Sequence, residues 1–366
     1  MKPRPRWFPS LVCGLIVLAS ACQPVSEADP DPITPTAVVI LPSPTETPAE
    51  IVPEQELLPA PATGTPDSMR FILPTPGAEP VSSWRPPLYP VPWAPSIFDH
   101  FYFSRPIAAD TVNWPLADYR YGGVLPKSKF THTGIDITAD LGTPVLAAGP
   151  GDVVWAGWGL FTGDRRNRED PYGLAVMIRH DFGYKGLQLF TVYAHMQRVN
   201  VIVGQWLDSG DVLGQVGETG DASGPHLHFE VRLGGEDNFS TRNPELWMAP
   251  PQGWGLLVAR IGGYFNNPVD MVSVEVESVT TGQTWEVHTY RNQEVNQDEY
   301  YAENMVLSDL PAGTYRVYVP FWGRLQKLEL EVYPGQVTYF NFRGSLLFNT
   351  DLPSLQELNV IQTPAP

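Results

Sequence analysis

From Ser96 onward the chain is a succession of short β-branched and aromatic runs separated by glycine. No long stretch between residues 96 and 250 repeats its apolar residues at helical spacing. Runs such as TPVLAAGPGDVVWAGW, GLAVMIRH, LFTVYAH and HLHFEVRL follow one another with turn residues between them. Strand side chains alternate faces every residue, whereas a helix needs a 3.6-residue period, so such a chain satisfies its backbone by pairing strands. The expectation is an all-β domain over residues 96–250. A second β-rich stretch follows the Pro-rich hinge MAPPQGWG: SVEVESVT, TWEVHTY, GTYRVYVPF and KLELEVYPGQVTYFNF alternate apolar with polar residues. That alternation marks strands with one face on a core, and the spacing predicts a β-sandwich over 251–348, with a tail at 349–366.

The residues before 96 are of another kind. Lys2, Arg4 and Arg6 precede an apolar run, Leu11 to Leu18, and then Ala19-Ser20-Ala21. This is the pattern of a secretory signal over 1–22, its apolar run too short to remain as a spanning helix. Cys22 stands where the bacterial lipoprotein signal, which this leader resembles, carries the cysteine that receives a lipid. The departure is Ala19, where that pattern prefers Leu, and ordinary cleavage after Ala21 is the alternative. Cys13 and Cys22 are the only cysteines, so no disulfide is expected in the mature chain. From 23 to 95 the 39 prolines of the chain concentrate in segments such as SPTETPAE and LPAPATGTPD. Proline fixes φ and removes a donor, so a disordered Pro-rich tether is expected there. The formal net charge of −17 argues against a nucleic-acid partner, which needs a basic face.

Two short patterns carry chemistry. In His226-Leu227-His228 the two imidazoles point to one side of a strand and Leu227 to the other. Alone this is a weak signal, since two histidines on a solvated strand face are common. His132 and Asp136 in HTGID are four apart, a spacing that shares a face on a helix and on a strand. Gly134 and the β-branched Ile135, Ile137 and Thr138 favour the strand. Two histidines and one aspartate suit Zn²⁺ and leave a coordination position for water. His195, in VYAHM, completes the set. The chain holds 7 histidines, and four fall in these motifs.

In this order HTGIDI, GTPVLAAGPGDV, YAH and TGDASGPHLHFEVR resemble the lysostaphin/LytM-type zinc metalloendopeptidases, which are peptidoglycan hydrolases. The resemblance runs from about residue 119 to 233. It implies an antiparallel β-sheet metallopeptidase domain with Zn²⁺ held by His132, Asp136 and His228. It further implies that His195 and His226 flank the metal-bound water as catalytic residues, one taking its proton and the other donating to the oxyanion. Peptidoglycan peptides would be the substrate, outside the cytoplasm. Degenerate relatives, which regulate other wall hydrolases, typically lack several of these residues; none of the five is missing here. No H-E-x-x-H occurs, so no zincin-type glutamate base is expected.

The remaining candidates have blander readings. His180 matches a family histidine that is not a ligand and is expected to be structural. His100 and His288 are expected at the surface. Glu230 shares the face of His226 and His228, either orienting a ligand or sitting at the surface. Phe161 to Pro171 reads as an insertion, either a solvated loop or a cleft wall in which Arg165, Arg166 and Arg168 meet substrate carboxylates. The second β-rich stretch, with DLPAGTY and PGQVT, resembles a carboxypeptidase-regulatory or prealbumin-like sandwich, which implies an accessory role. Two other functions fit the layout: a non-catalytic scaffold or activator of wall hydrolases, and a wall-binding surface protein.

Overall fold

The computed structural model of the chain describes residues 86–108, 115–124, 131–265, 267–290 and 295–354. The leader with Cys22, the tether as far as residue 85 and the tail from 355 lie outside those residues. The described residues contain no α-helix, only three short 3-10 turns at Ala117–Tyr119, Pro244–Leu246 and Gly344–Leu346.

The first nine strands are β1 (Ile135–Thr138), β2 (Pro144–Leu146), β3 (Gly151–Trp158), β4 (Leu174–Tyr184), β5 (Leu187–Val199), β6 (Trp206–Leu207), β7 (Val212–Val216), β8 (His226–Leu233) and β9 (Thr241–Arg242). They form one sheet in the order β1-β8-β5-β4-β3-β6, with β7 joining β2 to β5 and β9 flanking β8. Every pairing in it is antiparallel. β5 lies between β4 and β8, and its residues 189–196 are all buried because both faces are covered. Leu189 and Tyr193 face the main core, while Phe190, Val192 and Ala194 face a smaller cluster with Tyr172, Ala175 and Met177.

β8 is buried along its whole length, yet it alternates in chemistry. Leu227, Phe229, Val231 and Leu233 enter the main core. His226, His228, Glu230 and Arg232 take the opposite face, and all four are buried as well. A buried polar stripe is expensive unless each group is paired, so this face is where chemistry is to be sought.

The second half comprises β10 (Trp254–Gly262), β11 (Ser273–Ser278), β12 (Thr284–His288), β13 (Met305–Pro311), β14 (Gly313–Phe321), β15 (Arg324–Val332), β16 (Val337–Arg343) and β17 (Phe348–Asn349). Two four-stranded sheets, β13-β10-β16-β17 and β12-β11-β14-β15, share a core that includes Trp285, Tyr315, Phe340 and Phe342. In DLPAGTY the Tyr315 hydroxyl donates to the Pro311 carbonyl at 2.7 Å and fixes the corner between β13 and β14.

Two expectations about boundaries need correction. The tether was expected to reach residue 95, but Tyr89 and Trp93 stack at 4.5 Å and are buried in the main core. Their backbone amides bond to Pro250 and Phe101, and Trp93 Nε1 donates to the Gly335 carbonyl at 2.7 Å. Proline removes donors but does not stop intervening aromatic rings from burying apolar surface. The Pro-rich hinge is also packed: Met248 and Ala249 belong to the main core. β10 serves two cores at once, sending Leu256 and Val258 into the first and Leu257, Ala259 and Ile261 into the sandwich. Period-2 alternation with both faces apolar leaves no free joint between the halves.

Candidate metal centre

β1 pairs with β8 in the register that sets Asp136 opposite His228 and Thr138 opposite His226. His132 does not lie on the strand, as its spacing suggested, but in the turn that leads into β1. It is turned inward there because its Nδ1–H donates to the Arg120 carbonyl at 3.1 Å. Arg120 is itself anchored: its side chain pairs with buried Glu245, which accepts from the backbone and hydroxyl of Ser308 on β13 at 2.8 and 2.7 Å. A strand of the sandwich therefore holds the residue that positions His132. Gly134 is needed for the close approach, since a Cβ there would lie 2.4 Å from the Phe229 carbonyl and 2.9 Å from the His228 ring.

The proton positions follow from partners that can only accept. His132 Nδ1 faces a carbonyl, and His228 Nε2 lies 3.1 Å from a Glu230 carboxylate oxygen. Both rings therefore turn a lone pair toward the centre. There His132 Nε2, His228 Nδ1 and Asp136 Oδ1 stand 2.9 Å apart in every pair. Three converging lone pairs repel unless a cation lies among them. Ligand atoms around a tetrahedral Zn²⁺ at about 2.0 Å are separated by about 3.3 Å, so the triad fits that ion with a small opening. Burial pushes the His228 pKa down, but the Asp136 and Glu230 carboxylates outweigh it and hold it at about 9. Burial likewise works against ionised Asp136, yet His132 and His228 keep its pKa well below the usual carboxylate range.

Glu230 is fully buried, which excludes the surface alternative. Its Oε1 accepts from Thr133 Oγ1 and from the Tyr172 hydroxyl, each at 2.6 Å, while Arg232 meets its Oε2 at 2.7–2.8 Å. Burial opposes its charge, but Arg232 and His228 prevail and lower its pKa. Tyr172 also stacks on His228 with ring centroids 5.5 Å apart. Thr133, Tyr172 and Arg232 were not among the residues singled out from sequence. Arg232 carries a signal in retrospect, continuing the period-2 stripe of β8; Tyr172 carries none, because a loop delivers it.

His195 and His226 adjoin the triad, with ring centroids 4.7 Å from each other and 5.7 Å between His195 and His228. His195 has φ +59, a left-handed conformation rare for a bulky residue. Its amide bonds to the Tyr172 carbonyl and its Nδ1–H donates to the Thr219 carbonyl at 2.8 Å. His226 Nδ1–H donates to the Gly224 carbonyl at 2.7 Å, and its Nε2 lies 3.5 Å from Asp136 Oδ2. Both rings thus offer Nε2 as an acceptor. Burial, then the His228 and His226 charges, lowers the His195 pKa to about 3; burial also lowers that of His226, against the pull of Asp136.

The other histidines stand apart from this centre. His180 is buried and bonded to the Pro150 carbonyl and Thr191 Oγ1, each at 2.9 Å, as befits a structural residue. His100, expected at the surface, is buried against Tyr184 and Trp247 and donates from Nδ1 to the Phe98 carbonyl. The aromatic cluster of Tyr102, Tyr184 and Trp247, assembled only in the fold, accounts for the difference. His288 is half-buried, its Nδ1 3.0 Å from Asp118. The inserted loop between β3 and β4 is organised by buried Asp170, which accepts from the amides of Phe161, Thr162 and Tyr172. Arg165 and Arg168 lie over Trp155 and Trp158 at 4.0 and 5.0 Å, and Phe161 packs on Tyr172 beside the centre.

Residues 130–239 match the sequence profile of Peptidase family M23, and the chain carries a domain of that family there. The DD-carboxypeptidase/endopeptidase Mpg of Neisseria meningitidis is 41% identical over 132 residues, 36% of this chain and 26% of that relative. Lysostaphin of Staphylococcus simulans is 30% identical over 113 residues, 31% of this chain and 20% of the relative. The likeness therefore spans about a quarter of the length of these relatives. A crystal structure of the lysostaphin catalytic domain aligns with 34% of this chain and 86% of its own, at 28% identity and a TM-score of 0.30. That superposition is poor, and the family assignment rests on the sequence match.

Proposed function

We propose that the chain is a zinc-dependent endopeptidase that hydrolyses peptide bonds of bacterial peptidoglycan, with His132, Asp136 and His228 as metal ligands and His195 and His226 as catalytic residues. The observation that carries the proposal is the convergence of three buried lone pairs whose ring protons are committed elsewhere. When bound there, zinc supplies Lewis-acid polarisation of a carbonyl and a water made nucleophilic near neutral pH. The protein's own part is proton handling. His195 and His226 are held neutral by burial, each with its Nε2 lone pair toward the centre, so either can accept a proton there. His226 Nε2 lies 3.5 Å from Asp136 Oδ2; of the two rings, one takes the water proton and the other, once protonated, donates to the oxyanion or the leaving amine. Glu230 and Arg120 fix the tautomers of the two ligand histidines.

In the same proposal the activity lies outside the cytoplasm, a reading supported by the signal-like leader, with a lipid on Cys22 as membrane anchor. The scaffold and wall-binding alternatives leave the intact five-residue set without a role. The test is incubation of the zinc-loaded protein with intact peptidoglycan and mass spectrometry of what is released. Peptide-cleaved fragments that vanish with a chelator and in His228→Ala are expected. Absence of fragments from fully zinc-loaded protein would refute the proposal.

A further inference from the structure

We propose that one end of the sandwich, built by residues 263–265, the β14–β15 turn and residues 344–347, docks on an anionic phospholipid surface. The first observation is where the exposed apolar side chains gather. Phe265 and Trp322 are each 82% exposed and Leu346 75%, and Tyr264, Leu325 and Leu347 are exposed beside them. They come from three separate parts of the chain, residues 263–265, the β14–β15 hairpin and the 344–347 turn. Tyr264 lies 5.1 Å from Phe265 and 6.4 Å from Trp322, ring centre to ring centre. Gly344, at the start of the 344–347 turn, packs against Gly263 and Phe321 so closely that a Cβ would lie 2.9 Å from both. A patch of exposed apolar side chains of this kind, on a chain of net charge −17, marks a contact site.

The second observation is the turn itself. Phe321 pairs with Arg324, so Trp322 and Gly323 are the two central residues of the hairpin, at φ +51 and +70. Positive φ at both positions is the type I′ turn, where Asn-Gly is the favoured pair. Tryptophan there is strained and buries almost nothing, so folding gives it no purpose.

The occupant follows from composition and charge. Flat aromatic rings alone would also suit a sugar face, but leucines at three of six positions do not stack on sugars; they partition into acyl chains. Tryptophan and tyrosine favour the boundary between acyl chains and headgroups. Arg324 and Lys327 are exposed next to the patch, in a chain of net charge −17. The glutamates of β15 lie farther along the strand, Glu329 paired with Arg316 and Glu331 bonded to Thr314. Basic residues at the apolar tip and acidic ones behind it orient the tip toward an anionic surface. This contact is independent of any lipid on Cys22.

The test uses the zinc-loaded chain from residue 22 with Cys22→Ser, so that no acyl anchor can form. It is sedimented with phosphatidylglycerol-containing vesicles, with pure phosphatidylcholine vesicles and with peptidoglycan sacculi. Trp322→Asn creates the preferred turn and so keeps or raises the unfolding temperature; Phe265→Ser is combined with it. Binding to the anionic vesicles, falling at least ~10-fold in the double variant while cleavage of soluble muropeptides is unchanged, is expected. Failure of the parent protein to bind anionic vesicles would overturn the proposal. So would equal binding by the double variant, or tip-dependent binding to sacculi alone.

Discussion

Replacing Glu230 by glutamine removes one charge from the centre while leaving volume and an acceptor for His228 in place, and its consequences separate into two parts. The first concerns the metal. The negative charge accepting the His228 Nε2–H at 3.1 Å raises the basicity of the Nδ1 lone pair that faces the triad, and glutamine accepts the bond without that charge. Loss of such an outer partner weakens metal binding ~10–100-fold, or about 1.4–2.7 kcal/mol. The second concerns the fold. Arg232 is buried with the Glu230 charge at 2.7 Å, and breaking a buried pair costs about 3–5 kcal/mol. Chromophoric chelator competition reads the first, and thermal unfolding with and without zinc reads both. Zinc-induced stabilisation shrinks by about 1.4–2.7 kcal/mol at a fixed free zinc concentration. Adding Arg232→Met removes the orphaned charge and recovers much of the stability, but not the zinc affinity. A Glu230→Gln protein that binds zinc within ~2-fold of the parent would refute the reasoning.

Three further outcomes are expected. His195→Ala and His226→Ala each lower peptide cleavage by ~10²–10⁴, with zinc affinity little changed, as a chelator titration beside the kinetic assay will show. The buried His180, whose pKa burial lowers to about 4, cannot take a proton in the fold until well below the 6.5 of the unfolded chain. Both states are neutral at pH 7; as pH falls through 6.5 only the unfolded state gains the proton, so stability declines by about 3 kcal/mol and levels off below pH 4. Denaturant unfolding at pH 7.5 and 4.5 shows this drop, and His180→Gln makes it smaller. Glu245→Gln, which loosens Arg120 from β13, reduces zinc affinity in the same chelator assay although the residue lies outside the triad.

The centre was legible where it rests on strand periodicity. β8 carries His226, His228, Glu230 and Arg232 on one face because side chains alternate, and HTGID supplies its partner by register. The supports were hidden because they depend on tertiary approach. The Arg120 carbonyl, the Thr219 carbonyl and Tyr172 reach the site from loops whose sequence has no period. The segment 86–95 and the hinge MAPPQGWG read as open for one reason: proline density suggests openness when the apolar residues between the prolines are ignored. The role of β13 in anchoring Arg120 could not be anticipated, since Ser308 and Glu245 lie 63 residues apart.

The proposed hydrolysis depends on one ion at His132, Asp136 and His228. The most direct measurement is the rate of peptide-bond cleavage as zinc is added stepwise to metal-free protein. The rate should rise linearly and stop at one zinc per chain, and His228→Ala should stay flat across the titration. Full activity of metal-free protein, or a His228→Ala variant that responds to zinc as the parent does, would contradict the account.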